Sequence, residues 1–147
     1  MLSSRARLDG YRAALDDAGT PIAAELIREG TFQPEDGLIH GHALLSLAEP
    51  PTAVVTHNDL QAFGLYRAAA EHGVRIPDDL SVVGFDDLPI TSWVTPPLTT
   101  IRQPLTEMAA SAANMVLALD RGEPLPHHRI ELATELIVRG STAPPGR

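Results

Sequence analysis

The sequence contains no cysteine and no lysine, and only six of its residues are aromatic: one tryptophan, two tyrosines and three phenylalanines. Without cysteine, the chain has no disulfide framework and no thiolate site. Its net charge is −8, and all 11 basic residues are arginines spread along the chain, so no basic patch for a phosphate backbone is present. No apolar run approaches the roughly 18 residues of a membrane span. Residues 1–12 contain no apolar segment of signal-peptide type, so we expect no secretion signal.

Residues 51–87 predict a strand, a helix and a second strand. Residues 53–56 form a short apolar run with β-branched members, which is typical of a buried strand. The helix that follows is expected to end at Gly73, and residues 80–85 form the second strand. Two strands joined by a helix of this length pair in parallel with a right-handed crossover. Their carboxyl ends then share the sheet edge at which open α/β sheets bind ligands.

The rest of the chain continues this alternation. Further helices are predicted at residues 5–18, 34–48 and 104–121, and further strands at residues 22–28, 98–102 and 129–138. The helix at 104–121 has apolar residues that are expected to face inward: Leu105, Met108, Ala112, Met115, Val116 and Leu119. The tail at residues 140–147 is expected to be disordered. With 147 residues, 44% of them hydrophobic, the chain predicts one α/β domain with a doubly wound, mostly parallel sheet and helices on both faces.

Polar residues follow both central strands: His57, Asn58 and Asp59 after the first, Asp86 and Asp87 after the second. Asn58 or Asp59 can cap the helix, and the two roles can be split, with Asn58 facing a cleft and Asp59 capping. For Asp86 and Asp87 a ligand-binding role is favoured over backbone capping. A Mg²⁺ or phospho-acceptor site is a third alternative, but such sites also need a lysine or hydroxyl partner, and lysine is missing.

Two further residues have a common interpretation and a functional one. Phe32 follows a predicted strand, where an aromatic residue usually belongs to the core but can instead stack on a flat ligand or a sugar ring. Arg7 lies on the first predicted helix, where an arginine usually belongs to a solvated face.

The histidines do not predict a metal site. His40 and His42 are alternate residues of a predicted helix and point to different faces, and His127 and His128 lie in a proline-flanked loop. The sequence also lacks a Gly-x-Ser-x-Gly elbow and a glycine-rich phosphate loop. We therefore expect no metal, no cofactor and no enzymatic activity.

Residues 3–141 resemble the effector-binding domain of the LacI/GalR family of bacterial transcriptional repressors. The resemblance rests on LSVVGFDD at residues 80–87, PPLTTI at residues 96–101, RLDGY at residues 7–11, and the pairs and single residues Asn58-Asp59, Ala62, Gly64 and Ile76-Pro77. It implies the periplasmic-binding-protein type I fold, in which two doubly wound lobes hold a ligand in the cleft between them.

The resemblance also implies a set of ligand-binding residues: Arg7, Phe32, Asn58, Asp86 and, less directly, Ser3. A carboxylate and a guanidinium can each pair with neighbouring sugar hydroxyls, while an aromatic face covers the C–H surface. By the same resemblance Phe63 and Trp93 lie near a homodimer interface, although both can equally be core residues.

Relative to the family pattern, we expect the helix-turn-helix, the hinge and most of the first lobe to be missing from this chain. Residues 3–97 correspond to the second lobe, 98–141 to crossover and returning elements, and 142–147 to a disordered tail. We therefore expect a fragment, arising from a mis-assigned start, a gene remnant or a truncation. Such a fragment is expected to expose apolar surface and to fold marginally or associate.

The function implied is that of a cytoplasmic sensor which binds a small effector, most commonly a sugar in this family, and contacts operator DNA only through a missing N-terminal domain. Two alternatives remain: a solute-binding protein of a sugar transporter, which shares the fold, and an enzyme of flavodoxin-like fold that uses Asp86 and Asp87 with Mg²⁺. The sequence leaves open which effector binds and whether it is an inducer or a corepressor.

Overall fold

The computed structural model describes residues 2–124 and 129–144, with side chains from residue 4 onward. These ranges contain four α-helices and four strands in the order α1 (Leu2–Asp17), α2 (Pro34–Leu45), β1 (Ala53–Val55), α3 (Asp59–His72), β2 (Ser81–Asp86), β3 (Thr99–Arg102), α4 (Leu105–Asp120) and β4 (Glu135–Ile137). Two short 3₁₀ turns, Ala24–Leu26 and Pro89–Ser92, complete the regular structure of the described residues.

The four strands form one sheet in the order β1-β2-β3-β4. β1 pairs with β2 in parallel, with Val54 opposite Val82, and β2 pairs with β3 in parallel, with Gly84 opposite Thr100. β4 runs antiparallel to β3. The predicted parallel strand–helix–strand unit is therefore confirmed.

Helices lie on both faces of the sheet, as predicted. Successive side chains of β2 point to opposite faces. Val82 packs with the buried residues of α3 in the core, whereas Phe85 lies under the Arg7 guanidinium of α1 on the other face. The core between α3 and the sheet consists of Ala62, Leu65, Ala69, Leu80, Val82 and Leu98.

Two glycines allow α2 and α3 to approach each other closely. A Cβ atom added to Gly37 would collide with the backbone carbonyl of Gln61, and one added to Gly64 would collide with the backbone carbonyl of Pro34. Both glycines are buried, so larger residues cannot move into solvent. α2 and α3 therefore pack in direct backbone contact at these two positions.

Two predicted strands are wrong or too long. Residues 22–28 contain the 3₁₀ turn Ala24–Leu26, whose backbone N–H groups bond locally, from Leu26 to Ala23 and from Ile27 to Ala24, instead of to a neighbouring strand. The strand predicted at 129–138 shortens to β4, because only Glu135–Ile137 pairs with β3.

Burial was overestimated in two elements. β1 was predicted to be buried, but it is an edge strand of the described sheet, and Val55 is 39% exposed. The apolar residues of α4 were predicted to face inward, but this helix contributes no buried residue, and Val116 is 64% exposed. The apolar spacing is real, but the described part of the chain buries none of these residues. The expected exposure of apolar surface is thereby confirmed.

The segment after β4 is ordered where disorder was predicted. Ser141 is fully buried, and its hydroxyl donates to the Val82 carbonyl at 2.6 Å and accepts from the Thr99 N–H at 2.8 Å. The Val82 N–H donates back to the Ser141 carbonyl at 2.8 Å. Thr142 and Ala143 also make hydrogen bonds to the sheet, whereas residues 145–147 lie outside the described range. None of the described helices has the length and apolarity to cross a membrane.

Candidate functional site

The candidate site lies at the carboxyl edge of the parallel strands. β1 ends just before His57 and Asn58, β2 ends at Asp86, and β3 is followed by Gln103. Because parallel strands deliver their carboxyl ends to one edge, three consecutive strands of the sheet bring polar residues together there.

Arg7 connects α1 to this edge. Its Nη1 donates to the His57 carbonyl oxygen at 2.7 Å, and its guanidinium carbon lies 3.6 Å from the centre of the Phe85 ring. Stacking on an aromatic face fixes the guanidinium plane without consuming its remaining N–H donors. Burial lowers the pKa of Arg7, and the negative charge of Asp86 raises it in part. Arg7 is thus a positioned cation and not a residue of a solvated face.

Asp86 presents one carboxylate oxygen to the site. Its Oδ1 accepts a hydrogen bond from Gln103 Nε2 at 2.7 Å, while its Oδ2 accepts none from the residues that the structure describes. Burial raises the pKa of Asp86, and the Gln103 hydrogen bond and the Arg7 charge oppose that rise. Asp86 therefore has an acceptor available to a ligand hydroxyl.

The expected split, with Asn58 facing a cleft and Asp59 capping α3, is wrong for the cap, which Asn58 provides while Asp59 is buried. Asn58 caps α3, since its Oδ1 accepts from the Gln61 N–H at 2.9 Å, and its Nδ2 donates to the Phe32 carbonyl at 2.9 Å. Asp59 points into the interior and has no exposed surface. The Leu88 N–H and the Thr100 hydroxyl both donate hydrogen bonds to its carboxylate there. One N–H of the Asn58 amide remains for a ligand.

Backbone strain is concentrated at the same edge. Among the described residues, positive φ angles outside glycine occur at Phe32 (68°), Asp86 (115°) and Asp87 (58°). A bulky residue such as phenylalanine rarely adopts this conformation, and strain of this kind clusters at ligand-binding sites. The Phe32 ring is half-buried, and its centre lies 6.1 Å from that of the His57 ring.

Asp87 belongs to a structural ion-pair network and not to a cation site. Arg139 Nη2 lies 2.6 Å from one carboxylate oxygen of Asp87, and Arg102 Nε lies 2.7 Å from the other. Burial alone would raise the pKa of Asp87, but the hydrogen bonds and charges of the two arginines outweigh it and lower the pKa. Because both oxygens are occupied by guanidinium groups, the aspartate pair does not form the Mg²⁺ site weighed from the sequence.

The resemblance also assigns roles to Ser3, Phe63 and Trp93. Ser3 lies in the first turn of α1, and its side chain is outside the described part of the structure. Phe63 packs against the core cluster, whereas Trp93 is 82% exposed. His127 and His128 lie outside the described residues.

Sequence reasoning missed Gln103 and Phe85. Gln103 could have been found by the strand-end argument used for Asn58 and Asp86, since it follows the third strand directly. The role of Phe85 depends on the placement of α1, for which the sequence carries no signal.

The chain belongs to the periplasmic binding protein-like domain family, whose model matches residues 2–142. It is similar to the HTH-type transcriptional regulator DegA of Bacillus subtilis, with 38% identity over 138 residues that cover 94% of this chain and 41% of DegA. Among solved structures, a LacI family transcriptional regulator from Enterococcus faecium with bound ribose is 33% identical, with a TM-score of 0.82, over 97% of this chain and 52% of that one. A complex of the regulator CelR with cellobiose is 34% identical, with a TM-score of 0.87, over 92% and 41%.

The expected family and fold are thereby confirmed, and the curated relatives are LacI-family regulators. The chain spans about 40% of the length of the curated relatives that it matches.

Proposed function

We propose that this chain is the effector-sensing part of a LacI-family transcriptional regulator, and that a sugar binds at the carboxyl edge of β1, β2 and β3. The similar regulators solved with ribose and with cellobiose support a sugar as the ligand class. The observation that carries the proposal is the coincidence of backbone strain with unused polar groups at this edge. Phe32 and Asp86 have positive φ angles, and Asp86 Oδ2 accepts no hydrogen bond from the described residues.

The chemistry of the edge suits a polyol. Asp86 Oδ2 accepts from one hydroxyl, and the free N–H groups of Arg7 and Asn58 donate to others. The ring of Phe32 offers an apolar face to the C–H surface of a sugar. Burial lowers the pKa of the neighbouring His57, and the Arg7 charge lowers it further, so the imidazole is neutral at pH 7 and adds no second cation.

In the whole regulator, the ligand is proposed to shift the equilibrium between open and closed lobes, by no more than its difference in affinity for the two states. Residues 3–97 are proposed to form most of one lobe, and residues 98–141 the crossover and returning elements. The regulator is proposed to act in the cytoplasm as a homodimer, with Phe63 and the exposed Trp93 near the interface, and to contact DNA through a separate domain.

The experiment is a titration of the chain with ribose and with cellobiose, followed by backbone amide NMR shifts, which detect weak binding. The Asp86→Ala variant removes a charged hydrogen bond worth about 1.5–3 kcal/mol, so affinity is expected to fall at least about tenfold. Asp78→Ala is the matched control, because Asp78 is exposed and precedes the opposite end of β2. Equal affinity of the Asp86→Ala variant and the unmodified chain would refute the assignment.

A further inference from the structure

A histidine pair joins the far ends of α2 and α3. His42 Nδ1 lies 2.9 Å from His72 Nε2, although 30 residues separate the two in sequence. His72 is the last residue of α3, about 20 Å along the helix axis from the Asn58 cap. The pair is therefore remote from the candidate sugar site. The side chain of His42 is 38% exposed, so solutes can reach it.

A carboxylate fixes the protonation of His42. Glu71 Oε2 lies 2.9 Å from His42 Nε2, and Arg67 Nε donates to the other oxygen of Glu71 at 2.9 Å. Because an ionised carboxylate only accepts hydrogen bonds, His42 Nε2 carries a proton. In the neutral ring, the lone pair of His42 then lies on Nδ1, which faces His72. Metal-binding histidines are typically held by such a carboxylate on the nitrogen that does not bind the metal.

We propose that His42 Nδ1 and His72 Nε2 form a two-histidine site for a divalent transition-metal cation, Ni²⁺ or Cu²⁺, that joins α2 to α3. Two metal–nitrogen bonds of about 2.1 Å at a right angle place the nitrogens about 3.0 Å apart, whereas a tetrahedral angle requires about 3.4 Å. The observed separation of 2.9 Å is nearer to the first value. Square-planar and tetragonal nitrogen sites favour Cu²⁺ and Ni²⁺.

With both rings neutral, the proton on His72 Nε2 moves through solvent to His72 Nδ1, and the cation takes its place between the two rings with no net release of a proton. Protonation of either ring removes a lone pair that the cation needs, so affinity decreases as pH falls. The described residues contain no group of three or more histidine, cysteine or acidic side chains placed to hold a metal, so water completes the coordination.

His40 provides an internal control. It lies on the same helix as His42, but its Nε2 is 2.7 Å from the Glu29 carbonyl oxygen and it takes no part in the pair. The divergence of His40 and His42 predicted from sequence is thus correct. The partner of His42 comes from another helix, which sequence spacing could not show.

The test is a titration of the tag-free chain with NiCl₂, followed by thermal unfolding, and with CuCl₂, followed by electron paramagnetic resonance. We expect saturable binding that raises the melting temperature, and a Cu²⁺ signal with coupling to two nitrogens. The His72→Gln variant is expected to lose both, and Glu71→Gln to weaken Ni²⁺ binding about 10- to 100-fold. His40→Gln is expected to bind as the unmodified chain does.

A double variant, His127→Gln with His128→Gln, tests the two histidines that are neighbours in sequence. We expect it to bind metal as tightly as the unmodified chain. Loss of metal binding in this double variant, or full affinity in His72→Gln, would overturn the proposal and leave the His42–His72 contact as a hydrogen bond alone. Metal-free melting temperatures of all variants separate loss of binding from loss of folding.

Discussion

Removing the buried carboxylate of Asp59 should lower the free energy of unfolding by a large amount. It accepts from the Leu88 N–H at 2.8 Å and from the Thr100 hydroxyl at 2.6 Å, and neither Asp59 nor Thr100 has exposed surface. Asp59→Ala leaves both donors without a partner, at about 1–3 kcal/mol each. The sum of about 2–6 kcal/mol is a large part of the 5–15 kcal/mol that typically stabilises a domain.

The measurement is thermal unfolding followed by circular dichroism. For a domain of about 150 residues, each kcal/mol lowers the melting temperature by about 2–4 °C, so Asp59→Ala is expected to lower it by about 4–24 °C. Asp59→Asn is the matched variant. Its amide oxygen can accept from Leu88 N–H while its NH₂ group donates to the Thr100 hydroxyl, and the buried charge disappears. We expect Asp59→Asn to stay much closer to the unmodified chain.

The pH dependence of stability has a definite sign. Burial raises the pKa of Asp59, while hydrogen bonds from Thr100 and Leu88 oppose the rise and the charges of Asp86 and Asp87 add to it. The stability from this group is fully present below the ordinary aspartate pKa of about 3.9 and is lost as pH rises through the higher folded-state pKa. The difference in unfolding free energy between Asp59→Asn and the unmodified chain should therefore shift in favour of asparagine as pH rises. A constant difference, or an Asp59→Ala loss below 1 kcal/mol, would refute this reasoning.

Three further predictions concern stability. Gly64→Ala should destabilise the chain by about 1–3 kcal/mol, because the added methyl collides with backbone atoms of α2. Gly10→Ala on α1 meets nothing within 4 Å and should stabilise the chain by about 0.5–1 kcal/mol. Urea unfolding compares the two variants, and equal effects would contradict the close contact between α2 and α3. Ser141→Ala should cost about 1–3 kcal/mol by leaving buried backbone groups unpaired, and a loss under 0.5 kcal/mol would show that the C-terminal segment is dispensable. Burial raises the pKa of Tyr11 and Tyr66 to about 12, so the stability that these groups contribute is present below pH 10 and is lost as pH rises through 12. Tyrosinate absorbance should therefore appear only near pH 12, and titration near pH 10 in the folded chain would contradict the burial of these side chains.

The exposed apolar surface predicts association. Trp93 is 82% exposed, and α4 has no buried residue, with Val116 64% and Leu119 60% exposed. We expect sedimentation velocity to show concentration-dependent self-association of the isolated chain. A monomer at all concentrations, with a cooperative transition at high temperature, would contradict it.

Local signals predicted most of the elements correctly. The α3 helix begins at the Asn58 cap and ends at Gly73, whose φ of 69° suits glycine, and α1 is followed by Gly19 with a φ of 71°. Capping and chain-reversal preferences act over a few residues, so they can be recognised in the sequence. The strand predicted at residues 22–28 failed because a short apolar run carries no information about whether a neighbouring strand is available to pair with it.

The candidate site could be predicted only in part. The sequence placed Asn58 and Asp86 at strand ends, and the family resemblance added Arg7 and Phe32. Neither could show which of these residues contact each other. Whether Asn58 or Asp59 turns inward depends on the donors of Leu88, just after β2, and of Thr100, in β3.

The sequence alone determined the parallel strand–helix–strand unit, the family and the acidic, lysine-free character of the chain, because these depend on residue type and on spacing along the backbone. Tertiary structure decided which polar groups are satisfied and which remain free. Asp87 is occupied by Arg102 and Arg139, whereas Asp86 keeps an oxygen free among the described residues, although the two aspartates are adjacent. That difference is set by elements up to 52 residues away, and electrostatic and hydrogen-bond partners at such separations are fixed only when the chain is folded.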